Sequence, residues 1–303
     1  MKEFIFAGRF IASCAMVGAS LCWASGSVIT ATLVKSASPV SVVSIQLVAS
    51  SLFLWTIIFA RRLAIPYSRE FAVAGSLGVL EPGAAYLCST AGLESLSASA
   101  ASLIFATEPA MVALLAWPIL RERLALSTFI SLIISITGVC LTLTGSVTGE
   151  SYGALLTVCS TALASLYVVL NQRFAFKAPP ITRAAIQQLV GVSALALLSP
   201  ILGYVGEISS LALGSFVVIG LTGIIQYGLA FWLYLIAVDK LPVTIATLFL
   251  ALIPLFTVLE GSIFIGEMLT SSQLTGAVLI LIALSLSVLN IKASALRPQP
   301  DSF

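Results

Sequence analysis

Charged and polar positions cut this chain into stretches that are almost wholly apolar, joined by connections of only a handful of residues. A bilayer core of about 30 Å takes about 20 predominantly apolar residues per crossing helix. The spacing predicts ten such helices: 11–34, 40–59, 71–93, 97–120, 126–145, 151–172, 183–202, 215–238, 243–266 and 274–289. Lys2 and Arg9 ahead of an apolar run look like a signal peptide. The run continues past Trp23 without a convincing small-residue cleavage site, however, and nine more stretches follow, so it is kept as the first span. The short connections leave no room for a soluble domain.

Composition agrees with the pattern. Of 303 residues, 59% are hydrophobic and 9% charged, with a mean hydropathy of +1.13, whereas soluble domains carry roughly a quarter of their residues charged. A water-soluble enzyme is excluded, and the fold expected is an all-α integral membrane protein. The net charge of +2 carries no basic run or tail of the kind that binds nucleic acid. Cys14, Cys22, Cys88, Cys140 and Cys159 fall in apolar stretches without CxxC spacing and read as packing residues, so neither a disulfide framework nor a metal site is expected. No histidine is present, which removes zincin, His-triad and His proton-relay chemistry.

Charge position orients the chain. With a cytoplasmic N-terminus, thirteen of the fourteen basic residues fall on the cytoplasmic side and only Lys35 on the other. Both termini are then cytoplasmic.

The sequence also matches itself. At an offset of 145 residues, Leu96, Ser102, Leu103, Pro109, Glu122, Leu124 and Ser127 fall on Leu241, Thr247, Leu248, Pro254, Glu267, Leu269 and Ser272, while Gly78 falls on Gly223 and Glu81 on Gln226. At an offset of 141, Pro39, Ile45 and Gln46 fall on Pro180, Ile186 and Gln187. Residues 1–146 and 147–293 thus form two five-helix repeats, with a short tail at 294–303. Because five is odd, the repeats lie in opposite orientations, the arrangement that underlies alternating access in secondary transporters.

These features resemble the EamA family of the drug/metabolite transporter superfamily. The resemblance rests on the ten short-looped spans, on Pro109 followed by Leu120-Arg-Glu-Arg-Leu124, and on Pro254 followed by Ile265-Gly-Glu-Met-Leu269. It implies an inner-membrane exporter of amino acids, metabolites or toxic compounds, with a central cavity lined by the first four helices of each half. The last helix of each half is then expected at the periphery or at an oligomer contact. Many relatives carry Arg where this chain has Gln46 and its mate Gln187, which speaks against an anionic substrate held there.

Three acids, Glu81, Glu108 and Glu260, lie inside spans, where an ionisable group is costly and a functional candidate by default. The third and fourth spans form a hairpin turning near Glu94 and Ser95, so Glu81 and Glu108 fall at one depth, about 15 Å from a span end. Two facing carboxylates resist joint ionisation, as a proton-coupled carrier requires; different facings, or plain structural roles, remain open. Glu260 lies about 25 Å along the ninth span and is an even choice between the two roles. Pro82, Pro109 and Pro254 free the carbonyls of Gly78, Phe105 and Leu250, for ligation or bending, or as ordinary kinks.

Gln46, Gln187 and Gln226, with Gln188 and Asn171, offer neutral hydrogen bonds to a polar or zwitterionic solute. Trp23, Tyr86 and Tyr227 are assigned aromatic cavity roles. Glu122 and Glu267 sit at span ends and read as structural, capping neighbouring helices or pairing with arginine.

The function expected is a secondary transporter exporting small polar or amphipathic metabolites, exchanging them for protons. Its partners are a small-molecule solute, protons and the lipid bilayer. No cofactor, metal or nucleic acid is expected, and a homo-oligomer is compatible but not required. Drug carriers and nucleotide-sugar carriers of the same superfamily are alternatives. Intramembrane proteolysis lacks its groups, because the only aspartates are Asp239 and Asp301, and no GxSxG, P-loop or GxGxxG occurs. A receptor or scaffold would not require inverted halves or acids at the midplane.

Overall fold

A computed structural model describes residues 2–66, 68–121, 126–142, 148–174, 179–203, 205–238, 249–250 and 252–295. Among them the chain is helical throughout, with no strand. Among the described residues seven helices are long and apolar enough to cross a bilayer: Phe10–Leu33, Pro39–Ala60, Arg69–Gly92, Ala98–Leu120, Ser151–Phe174, Pro180–Ile201 and Leu213–Ala237. Three shorter apolar helices, Phe129–Leu141, Leu252–Ile265 and Ser271–Ala283, fall on the remaining predicted stretches.

We number the regular helices α1 (Lys2–Leu33), α2 (Pro39–Ala60), α3 (Arg69–Ser76), α4 (Ala85–Gly92), α5 (Ala98–Phe105), α6 (Glu108–Leu120) and α7 (Leu126–Thr142). They continue as α8 (Thr148–Phe174), α9 (Pro180–Leu202), α10 (Val205–Ser210), α11 (Leu213–Gly223), α12 (Ala230–Val238), α13 (Leu252–Ile265) and α14 (Ser271–Ala295). Of the signature residues singled out above, Glu122, Leu124, Leu241, Thr247 and Leu248 lie outside the described residues.

Local chemistry sets the helix ends. Ser38, Ser68 and Ser97 each accept a backbone N–H from three residues on, which satisfies one of the orphan donors of α2, α3 and α5. Pro39 and Pro180 occupy the first helical turn, where a missing N–H is no loss. The seventh span therefore begins at Pro180, three residues before the charge at Arg183 that marked its expected start. Gly203, at φ 66°, ends α9 in the left-handed region that glycine favours.

The helices of one sequence half pack against those of the other: α2 lies against α9 and α11, and α1 against α12 and α13. Two glycines permit the closest approaches. A Cβ on Gly78 would collide with the backbone carbonyl of Gln187, and one on Gly223 with the backbone carbonyl of Gln46. Small residues at such crossings let helix backbones meet where no hydrophobic effect drives association. At the bundle edge α7 and α14 pack on each other, Gly138 lying against the Gly276 backbone and Ser272 Oγ donating to the Leu141 carbonyl at 2.9 Å.

Candidate functional site

The third crossing helix is broken at its centre. Pro82 has no N–H to donate, and after a 3-10 turn at Leu77–Val79 the stretch Leu80–Ala84 is kinked, with Glu81 inside it leaving the helical region (φ −141°, ψ 122°). The freed Gly78 carbonyl is packed against glycines 83 and 191. The eighth span carries a π-helical turn at Ile224–Leu229, which contains Gln226 and Tyr227. Positions 80–84 fall on 225–229 at the 145-residue offset, so regular α geometry is lost at matching places, through a kink at Glu81 in one span and a π-helical turn in the other. Such turns are frequent at functional sites.

The fourth crossing helix is also divided. α5 ends at Phe105, and after Ala106 and Thr107 the chain restarts as α6 with Glu108 and Pro109 in its first turn. Pro109 thus opens a helix instead of kinking one. Glu108 stands in the first turn of α6, directly after the break.

These breaks turn side chains into a narrow cleft lined by Glu81, Pro82, Tyr86, Tyr167, Ala184, Gln187, Gln188 and Phe231. Its volume is about 20 Å³, enough for a water molecule and too little for a metabolite. Glu108 lies near enough to Glu81 for their charges to repel. Among the described residues neither carboxylate has a hydrogen-bonded or ion-paired side-chain partner. Tyr86 stacks on Tyr227 beside the cleft, with ring centroids 4.2 Å apart and planes 19° from parallel, joining the third and eighth spans.

The polar wall is ordered by hydrogen bonds. Tyr167 Oη donates to Gln187 Oε1 at 2.7 Å, and Gln187 Nε2 donates to the Ala74 carbonyl at 3.0 Å and to Asn171 Oδ1 at 3.4 Å. Ser50 Oγ donates to Gln188 Oε1 at 2.7 Å, while Gln188 Nε2 donates to the Tyr227 carbonyl at 3.1 Å.

Gln46 and Gln226 belong to a second, separate cluster. Gln46 Nε2 donates to Thr30 Oγ1 at 2.9 Å, Thr30 Oγ1 donates to Gln226 Oε1 at 3.1 Å, and Gln226 Nε2 reaches Ser27 Oγ at 3.4 Å. Gly26 makes this closure possible, because a Cβ there would meet the Gln226 side chain. The two clusters correspond. Thr30 and Asn171 are separated by the same 141 residues as Gln46 and Gln187, and each is bonded by its glutamine. At the same offsets Tyr167 stands where the first cluster has Gly26, and Glu81 where it has Gln226. One cluster is therefore neutral and sealed, and the other holds an ionisable carboxyl and opens on the cleft.

Trp23 packs on Tyr234 at 5.8 Å between ring centroids, and Tyr234 on Phe231 at 6.0 Å, so Trp23 reaches the cleft wall through two rings. Glu260 is apart from the other acids: Ser25 Oγ donates to its Oε1 at 2.9 Å. Pro254 is buried in the first turn of α13. Glu267 caps α5, as a structural reading expected. It accepts from Ala98 N at 2.9 Å, Ser99 N at 3.1 Å and Ser99 Oγ at 2.5 Å.

Thr30 and Arg183 escaped the sequence reading. Thr30 is an ordinary hydroxyl in an apolar run, visible only through its offset to Asn171. Arg183 served there as a topological charge, yet it lies one helical turn before Gln187 on α9, and its charge reaches Tyr167 and Tyr234.

A multi-pass α-helical membrane protein, with broken helices meeting at a polar cleft inside the bundle, is the class that these features define. The EamA-like transporter family matches residues 10–144 and again 151–289, and the chain belongs to it. That is a family of transporters, not enzymes. An uncharacterized transporter of Archaeoglobus fulgidus is 26% identical over 258 residues, covering 84% of this chain and 90% of that protein. A solved crystal structure superposes with a TM-score of 0.64 at 16% identity, over 93% of this chain and 98% of its own, which shows the likeness of fold.

Proposed function

We propose that this protein is a secondary transporter of the inner membrane, exporting small polar or amphipathic metabolites such as amino acids in exchange for protons. The observation that carries this reading is the cleft itself: Glu81, with Glu108 in range of its charge, stands among Tyr86, Tyr167 and Gln187 at the break of a crossing helix. A carboxylate there can hold a proton or the cationic end of a solute, but two adjacent negative charges oppose one another. Exchange of one for the other is then the coupling step. Glutamine amides and tyrosine hydroxyls supply the neutral hydrogen bonds that a polar solute requires on leaving water.

Ten spans arranged as two inverted five-helix halves give the cleft its alternating access. The double match to one family, the matching positions of the kink at Glu81 and the π-helical turn at Ile224–Leu229, and the reciprocal approaches of Gly78 to Gln187 and Gly223 to Gln46 support this arrangement. The small volume of the cleft corresponds to a closed state, and solute entry requires the halves to rock apart. With both termini cytoplasmic, Arg183 stands toward the cytoplasmic side of the cleft.

The test begins with a thermal-shift screen of purified protein against amino acids, purine derivatives and cationic drugs, since a solute that binds the folded state raises its stability. A stabilising solute is then followed into proteoliposomes with and without a pH gradient. Carrier-dependent flux is expected. Solute binding with no flux would instead make the protein a receptor.

A further inference from the structure

Four connections, whose described residues are 34–38, 93–97, 205–212 and 266–270, meet at one end of the bundle. Val34 and Ala37, Leu93 and Leu96 form a single buried apolar cluster there, with Ile208 and Ile265 packed against it. Lys35 is the one basic residue among the connections at this end.

Two carboxylates clasp the halves together around that cluster. Glu207, on α10, accepts from the backbone N–H of Ser38 at 2.7 Å, from the Ser38 hydroxyl, and from Ser41 Oγ at 2.6 Å, all at the N-terminus of α2. Glu267, ahead of α14, caps α5 through Ala98 and Ser99. In both clasps the acid comes from the second half of the chain and the helix N-terminus from the first, with 169 residues between Ser38 and Glu207 and between Ala98 and Glu267.

We propose that these two clasps form the gate at this end: they hold the halves closed over the apolar cluster and must separate before the Glu81 cleft can open toward this side. The proposal rests on the transporter reading. Its chemistry suits a reversible closure. Charge-assisted hydrogen bonds are strong and short-ranged, and these lie at the margin of the membrane, where water can replace every partner as they part. The clasps also act at the ends of α2 and α5, the helices that carry Gln46 and lead into Glu108, so their release is transmitted to the cleft region along rigid elements.

The gate is tested by access, without a known solute. Thr90, buried on α4, lies one helical turn beyond Tyr86 toward the clasped end. With the five native cysteines replaced by alanine, Thr90→Cys reports its accessibility to a membrane-impermeant cationic methanethiosulfonate applied from that side. Glu207→Gln and Glu267→Gln together are expected to raise the labelling rate at least about tenfold, the single variants less, since a tenfold change is only 1.4 kcal/mol of equilibrium. Unchanged labelling in the folded double variant would overturn the proposal. If that variant does not fold, Ser38→Ala with Ser41→Ala removes two hydroxyl donors and no charge. A several-fold rise is then expected, and no rise is contradictory. Faster labelling in a protein that moves no solute would sink the transporter reading and leave the closure standing, whereas flux with unchanged labelling would sink the gate alone.

Discussion

Gly78 lies so close to the backbone carbonyl of Gln187 that no Cβ fits between them. The same relation holds between Gly223 and Gln46, and the obstacle in both places is backbone, which cannot swing aside as a side chain can. Gly78→Ala and Gly223→Ala are therefore expected to lose stability by about 1–3 kcal/mol each through overpacking. Gly206, on α10, has open space around it, and Gly206→Ala is expected to be neutral or slightly stabilising. Thermal unfolding of the three purified variants in detergent checks this, and equal stability of all three would contradict the packing described.

The sealed cluster predicts a coupled loss. Gln226→Leu takes away the acceptor of the buried Thr30 hydroxyl, which keeps only the N–H of Gln46, and removes the part-buried contact to Ser27, at a cost of about 1–3 kcal/mol. Thr30→Val in the same chain removes the hydroxyl that has lost its acceptor, so the double variant is expected to lose less than the sum of the single losses. A double-mutant cycle on thermal stability reads the coupling directly, and strict additivity would show that the two side chains do not depend on each other.

Glu207 carries a dependence on pH whose direction follows from its contacts. Partial burial works to raise its carboxyl, but hydrogen bonds from the Ser38 and Ser41 hydroxyls and the Ser38 N–H outweigh it and hold the group below the ordinary carboxylate value. A group lowered on folding contributes stability above its unfolded value and loses that contribution as pH falls through its folded value. The stability difference between the native protein and Glu207→Gln is thus expected to be present at neutral pH, at about 1 kcal/mol or less for a charge at a helix N-terminus. It is expected to close below about pH 4. A difference that grew with acidification would contradict the assignment.

The fold class was legible because a bilayer imposes a length on every apolar stretch, and charges at span ends mark where each one stops. Helix breaks were legible for a similar reason: proline removes a donor wherever it stands, and Glu81-Pro82 does interrupt its helix. Pro109 gave the right place with a different consequence, since the chain ends α5 first and uses the proline to start α6. Rotation about a helix axis leaves no such mark. Gln46 and Gln187 are equivalent in sequence, yet one is closed into a neutral cluster and the other lines the cleft, because Gly26 and Tyr167 differ at the neighbouring equivalent position. Glu207 lies between two predicted spans, where nothing in the pattern singles it out. Its meeting with Ser38 depends on how two distant halves assemble.

The central claim, that Glu81 and Glu108 couple solute to protons, is tested most directly in proteoliposomes carrying the solute found by thermal shift. A one-unit pH gradient can support up to about a tenfold solute gradient for each proton exchanged. The native protein is expected to accumulate solute against its gradient when protons flow the opposite way. Glu81→Gln with Glu108→Gln is expected to abolish that dependence on the pH gradient, with the protein still folded by size-exclusion chromatography. Undiminished, gradient-dependent flux in the double variant would contradict the account.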